Sequence, residues 1–289
     1  MIKVSYLVSY DYDMLLTSVN QLYDYADKIV IAIDIERKTW SGNTFEIPDS
    51  FFEKVKAFDK NNKIQFYFDK FYLKDLTPME CESRERNMVL KKLGKGWKIQ
   101  LDVDEYIYDF KKIAEYLNKY WYLNLFPKLT PICFQGNLIT LFRELPDGYL
   151  YIENDEKFPF ITNQTFNTHT RQNDKIRNYF SDINVIHQSW ARTEEQIDFK
   201  IKNWGHRNDF DTEKYFQFWK SLNSSNYMEF QNIHPIVPEV WNKLKFLQSK
   251  SIDDFIERFK MNKNQIPKKI YRKKILKSAI KRLIRKEKC

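Results

Sequence analysis

IQLDVDEY, residues Ile99 to Tyr106, is an apolar run that turns abruptly into three carboxylates. A short, nearly continuous apolar run of this kind reads as a strand covered on both faces. Asp102, Asp104 and Glu105 at its end would repel one another unless something cationic sits among them. Asp102 and Asp104 are two apart, so an extended backbone would send both side chains to the same side. Two carboxylates on one side make an oxygen-rich site for a hard divalent ion, Mg2+ or Mn2+, normally completed by water and substrate phosphates. The opposing reading is a solvated Asp-x-Asp turn, and the buried strand in front of the pair weighs against it.

Working outward, strand and helix alternate. KVSYLVS reads as a buried strand and residues 13–25 as a helix carrying Leu15, Leu16, Val19 and Leu22. KIVIAID is a second buried strand, stopping at Asp34; an amphipathic segment over residues 51–58 and a strand KIQFYFD follow. Residues 78–93 read as a helix, and GKG breaks the chain before WKIQLDV. This order predicts an α/β fold with a Rossmann-like, mostly parallel central sheet flanked by helices, with ligands bound beyond the carboxyl ends of the strands. Further on, PICFQGNLITLFREL, PDG and YLYIEN read as a hairpin, with FPFIT and NVIHQSW as further strands. Thr193 and Gln196 have capping-box spacing at the start of a helix that Gly205 would end, and TEKYFQFWKSL is another helix. The expected organisation is one α/β domain whose two halves are 1–106 and 107–222. A helical extension over 223–266 and a basic tail over 267–289 complete it.

Composition narrows the class. The 289 residues are 43% hydrophobic and 17% aromatic, too apolar for a disordered chain. Three cysteines without paired spacing argue against a disulfide framework or zinc cluster and for a reducing compartment. The N-terminal MIKVSYLVSYDYD lacks the pattern of a signal peptide, which points to the cytoplasm. Net charge is +9, but residues 267–289 alone carry +10, so the remaining 266 residues sum to −1. A neutral body argues against nucleic acid as a partner, although a nucleic-acid-binding protein using the tail is the rival outside the enzymes.

Just upstream of the acidic strand end lies ESRERNMVLKK, whose Arg84, Arg86 and Asn87 sit on the preceding helix; arginine forks suit phosphate oxygens. Glu82, Arg84, Arg86 and Asn87, then a helix, then Leu101, Asp102, Asp104 and Glu105, together resemble the GT-A glycosyltransferases. The likeness is to the family-2-like bacterial enzymes of surface-polysaccharide assembly, and it covers roughly residues 1–106. That resemblance implies a glycosyltransferase moving a sugar from a nucleotide-sugar, a UDP-sugar by preference, to a glycan or lipid-linked glycan. It implies that Ser9 and Tyr10 line the nucleotide site and that Asp34 accepts a hydrogen bond from the base. Asp102 would face the ribose or the metal, and Asp104 would bind the metal bridging the diphosphate. Residues 33–43, IDIERKTWSGN, depart from the paired acidic residues frequent in that family, which leaves the base contacts open.

A late histidine often completes the metal site in such enzymes, and His187, ending an apolar strand, is the candidate against an ordinary buried histidine. His206 reads as a helix cap. For a catalytic base, Glu144, Asp155 and Glu156 fall in the acceptor region, each equally at home in a solvated turn. A nucleotidyltransferase of similar fold is the rival within the enzymes; SYDYDML lacks the Gly-rich basic loop it would want. In the tail, Ile275, Leu276, Ala279, Ile280 and Leu283 share one helical arc opposite Lys273, Lys274, Lys277, Lys281, Arg282 and Arg285. This is the pattern of a helix lying on an anionic membrane surface, placing the protein peripherally on the inner face.

Overall fold

Four strands form the parallel half: β1 (Ile2–Leu7), β2 (Lys28–Asp34), β3 (Ile64–Asp69) and β4 (Trp97–Asp102), in the order β3-β2-β1-β4. This computed structural model describes residues 1–203 and 209–286, the side chains of residues 154, 155, 202, 203, 285 and 286 excepted. Crossovers are made by α1 (Leu15–Leu22), α2 (Asp49–Phe58) and α3 (Pro78–Leu93). Side chains alternate across the strands. Val4, Ile29, Ile31, Ile99 and Leu101 meet Leu15, Val19 and Val55 on one face. Leu7, Val30 and Ala32 meet Val89 and Leu93 of α3 on the other. Each such aliphatic side chain, fully buried, contributes about 1.5–3 kcal/mol, an upper value because unfolded chains are already partly compact.

Local chemistry fixes where α3 begins and ends. Thr77 Oγ1 accepts from the Glu80 amide at 3.3 Å while Glu80 Oε2 accepts from the Thr77 amide at 2.8 Å, a closed capping box with Pro78 at the first helical position. Gly94 and Gly96 have φ of 70° and 111°, and a Cβ on Gly96 would come within 2.9 Å of the Met1 carbonyl. The chain can therefore turn from helix into β4 only through glycine.

Beyond β4 the sheet becomes mixed. β6 (Ile132–Leu145) and β7 (Gly148–Thr162) form a long antiparallel hairpin, and β7 joins β4 antiparallel. YLYIEN and FPFIT, expected as separate strands, are both parts of β7: Lys157 still pairs with Asn137, and a register shift between it and Glu153 takes up the residues between. β8 (Arg177–His187) lies parallel to β6, and the two-residue β5 (Glu105–Tyr106) pairs antiparallel with β8. α4 (Phe110–Lys119), which the sequence reading passed over, buries Phe110, Ile113 and Leu117 in the main core. α5 (Glu194–Asn203) starts with the expected Thr193–Gln196 capping box, at 3.2 and 3.3 Å. Gly205 and His206, the anticipated helix end and cap, lie outside the described residues. α6 (Thr212–Ser221) and α7 (Ile252–Asn262) follow.

Two expectations about the C-terminal third need correction. Residues 223–266 are not wholly helical, since β9 (Lys245–Gln248) adds to the sheet beside β7. The tail is stitched to the body before it becomes helical: the Lys268 amide donates to the Ser181 carbonyl at 2.8 Å and the Ile270 amide to Tyr120 Oη at 2.9 Å. In α8 (Arg272–Lys286), Ile275 is buried against the core rather than sharing the outward arc. The outward apolar stripe is Leu276, Ile280, Leu283 and Ile284. Among the described residues no helix is long and apolar enough to cross a membrane.

Candidate active site

A cavity of about 340 Å3 opens at the carboxyl ends of β1, β2 and β4. It gathers Ser9, Tyr10, Asp34, Asp102, Asp104 and His187, all expected from the sequence, and adds Asp11, Trp40, Glu82, Glu85, Arg192 and Lys200. The Asp102 and Asp104 carboxylates do not leave an extended strand side by side. β4 stops at Asp102, and Val103 and Asp104 form a turn into β5. The turn splits the pair between different partners.

Asp102 faces arginine. Arg86 Nη2 donates to its Oδ1 at 2.9 Å and Arg171 Nη2 to its Oδ2 at 2.9 Å. Burial pushes the Asp102 carboxyl up, and the two guanidinium groups outweigh it and hold it below the usual range. Glu105 is buried and grips Arg171 through both oxygens, at 2.7 and 2.8 Å, while its Oε2 also accepts from the Asp102 amide. The third acidic residue is thus a brace. Arg171 left no signal in the sequence reading, because it reaches this point from a distant loop.

Asp104 faces the second half of the chain. Pairing of Glu105 with His187 across β5 and β8 brings His187 Nε2 to 3.4 Å from Asp104 Oδ2. Arg192, just ahead of α5, donates from Nη2 to the same oxygen at 2.5 Å and lies 3.4 Å from Asp11 Oδ2. Burial opposes the charge on Asp104, yet His187 and Arg192 hold it well below the carboxylate range. Asp104 in turn raises His187 against its burial. Asp11, with a hydrogen bond from Ser9 Oγ at 3.1 Å, is raised by burial despite Arg192. Arg192 Nη1 is buried with no acceptor among the described residues, a donor left over for an anion. Lys200 of α5 donates to the Ser189 carbonyl at 2.7 Å, and burial, with Arg192 beside it, lowers it to about 8.

This geometry tests the expected metal ligands. Asp104 and His187 are adjacent and both line the cavity, a carboxylate and an imidazole that fit a divalent ion completed by phosphate and water. Asp102 is the less suited ligand, since Arg86 and Arg171 make three hydrogen bonds to its two oxygens at 2.9–3.2 Å and leave about one acceptor position. Among the described residues no group of three or more His, Cys, Asp or Glu is placed to hold a metal by protein atoms alone.

Other expected roles also move. Asp34 takes four backbone amides: Glu36 and Lys38 on Oδ1, Phe71 and Tyr72 on Oδ2, at 2.8–3.1 Å. A carboxylate has about four acceptor sites, so Asp34 ties two loops together and has none left for a base. Arg84 donates to the Lys70 and Phe71 carbonyls, and Asn87 exchanges hydrogen bonds with the Asn167 backbone. Arg86 is buried between Glu82 and Asp102. Arg84, Arg86 and Asn87 therefore shape the cavity wall and do not line it. Glu144 accepts from Tyr149 Oη at the far end of the β6–β7 hairpin, and neither it nor Glu156 lines the cavity. The Asp155 side chain lies outside the described residues.

No family model and no curated protein matches this chain. Among solved structures, a mannose-6-phosphate isomerase from Helicobacter pylori is 16% identical over 56% of this chain and 60% of its own, with a TM-score of 0.32. S. aureus TarS 1-349 is 13% identical over 51% and 38%, at 0.31. A CMP:2-keto-3-deoxy-manno-octonic acid synthetase complexed with CTP is 11% identical over 56% and 71%, at 0.28. This chain thus spans under two thirds of the first two, and likeness at this level carries no conclusion about activity.

Proposed function

We propose that this chain is a glycosyltransferase that moves a sugar from a nucleotide-sugar, a UDP-sugar by preference, to a glycan or lipid-linked glycan. The observation that carries the reading is the cation end of the cavity. Asp104 and His187 sit together there beside Arg192, with its unused buried donor, and Lys200. Breaking a sugar–phosphate bond leaves charge on the departing diphosphate, and preplaced donors in a water-poor site stabilise it most where it develops. Arg192 offers its remaining Nη1 donor to a phosphate oxygen while Nη2 stays on Asp104, and Lys200 offers a point charge. A divalent ion on Asp104 and His187, Mn2+ or Mg2+, would supply Lewis-acid stabilisation of the same charge. A nucleotidyltransferase would want glycine and lysine after β1, and Ser9, Tyr10 and Asp11 bring a carboxylate there instead.

The acceptor side of the proposal includes the membrane. Leu276, Ile280, Leu283 and Ile284 leave an apolar stripe on α8 flanked by Lys273, Lys277 and Lys281, which suits an anionic leaflet. The central test is thermal shift with UDP and Mn2+, together and apart. Stabilisation by the pair that EDTA reverses and Asp104→Ala abolishes supports the transferase. Salt-sensitive oligonucleotide binding with no response to UDP would replace it with the nucleic-acid reading.

A further inference from the structure

The cavity lining holds two chemically unlike sets of residues. Asp104, His187, Arg192 and Lys200 form the set suited to phosphate; Trp40 and Glu85, joined by a hydrogen bond, belong to the same lining with Lys38, Thr39, Phe45 and Met79. Glu85, on α3, is only 5% exposed yet lines the cavity. Its Oε2 accepts from Trp40 Nε1 at 2.6 Å. Among the described residues no cation pairs with it. Its helix neighbour Arg86 spends its ion pairs on Glu82 and Asp102, and lies over the Trp40 ring at 5.9 Å.

Burial pushes the Glu85 carboxyl up to about 8; the Trp40 hydrogen bond and Arg86 oppose this, while Asp34 from β2 and Asp102 from β4 add to it. Near neutral pH the group is therefore mainly a carboxylic acid. Oε2 is engaged by the indole, which leaves Oε1 as the oxygen free to act as a donor in a cavity whose lining includes Trp40, Phe45 and Met79. A half-apolar slot with one fixed donor is the chemistry that recognises a flat heterocycle bearing a carbonyl.

On the nucleotide-sugar reading above, we propose that Glu85, oriented by Trp40, reads the donor's base by donating a hydrogen bond to a ring carbonyl oxygen. Uracil, cytosine and guanine bear such an oxygen and adenine does not. Glu85 thereby takes the specificity role that Asp34, saturated by backbone amides, cannot fill.

The test separates the two sets, because Lys200 titrates in the same range as Glu85. Uridine, without phosphates, probes the base-reading set of the intact protein by ligand-observed NMR; pyrophosphate probes the other. For the wild type, uridine affinity should fall about tenfold between about pH 6.5 and about pH 9, as the donor is lost. Glu85→Gln keeps an N–H donor at every pH and should hold uridine affinity flat. Glu85→Ala should lose most of the preference for UDP over ADP while binding pyrophosphate like the wild type. The proposal is overturned if uridine affinity rises with pH, if Glu85→Gln follows the wild-type profile, or if Glu85→Ala keeps the UDP preference. Should Glu85→Ala fail to fold, the comparison of wild type with Glu85→Gln decides alone. If neither UDP nor pyrophosphate binds the wild type, the transferase reading itself fails; if UDP binds with no dependence on Glu85, only the base-reading proposal does.

Discussion

The two halves of the sheet bring opposite charges to one cavity. The strand ends of the parallel half supply acid: Asp11 after β1, Asp34 at the end of β2, Asp102 at the end of β4 and Asp104 in the turn after it. The mixed half supplies base: His187 at the end of β8, Arg192 ahead of α5 and Lys200 within it. Clustered carboxylates raise one another's pKa, and buried cations lose theirs. Arg86 of the parallel half meets part of the charge on Asp102, and Arg171 and Arg192 from beyond β7 complete the balance, with the pairing of β5 and β8 bringing His187 to Asp104.

The sharpest way to break this comparison is to remove the acid that both halves share. Asp104→Ala should lower sugar transfer by about 10²–10³-fold, measured as UDP release with donor and acceptor, and should erase the Mn2+ dependence of UDP binding. Removing a base instead tests the other side. Arg192→Ala should cost turnover about ten- to hundredfold, with Arg192→Lys recovering part of it, because a point charge replaces a fork. Urea titration should also show loss of about 3–5 kcal/mol in Arg192→Ala, since Asp104 is left buried without its nearest cation.

Asp102 sharpens the contrast from within the acidic half. Asp102→Asn should weaken the fold through Arg86 and Arg171 by about 2–3 kcal/mol while leaving the Mn2+ dependence of UDP binding in place. Equal damage to both would mean that Asp102 and Asp104 act as one site. Stability should also follow pH with a definite sign. Asp102 and Asp104 are depressed in the folded state, so their contribution is present above the unfolded carboxylate value and disappears as pH falls through the lower folded values. Glu85 runs the other way. Its raised pKa means that stability is lost progressively as pH rises from the unfolded carboxylate range towards about 8. Glu85→Gln should therefore unfold at a higher temperature than the wild type at about pH 8.5, the gap closing near about pH 5.

The smallest effect on the body is expected at α8. Ile280→Asp, on the exposed stripe, should reduce binding to phosphatidylserine-containing vesicles about tenfold with no change in melting temperature. Ile275→Asp should lower melting temperature, because Ile275 is packed in the core. A truncation at residue 267 would remove the Lys268 and Ile270 contacts as well, so point changes on the stripe separate docking from folding.

Much of this was legible in the sequence. β1, β2, β3, α3 and β4 follow from apolar runs, a helical stretch and the GKG break before β4; propensity and burial on both faces agree for β1, β2 and β4, while β3 is an only partly buried edge. Asp104 and His187 could be named because each ends a recognisable strand. Arg171, Arg192 and Lys200 gave no such signal. A basic residue in a loop or on a helix looks solvated until its tertiary partner is known. Asp34, Arg84 and Asn87 had the right chemistry and the wrong targets, since backbone amides and carbonyls of neighbouring loops claimed them first.

The sequence by itself determined the α/β class, the parallel half and the acidic strand end, because these depend on patterns within a few residues of one another. Tertiary structure alone decided that Asp102 and Asp104 part company, that arginine from two distant loops balances them, and that Ile275 turns inward. Those outcomes depend on which charges and apolar faces meet across the fold, and the separation of residues along the chain carries no record of it.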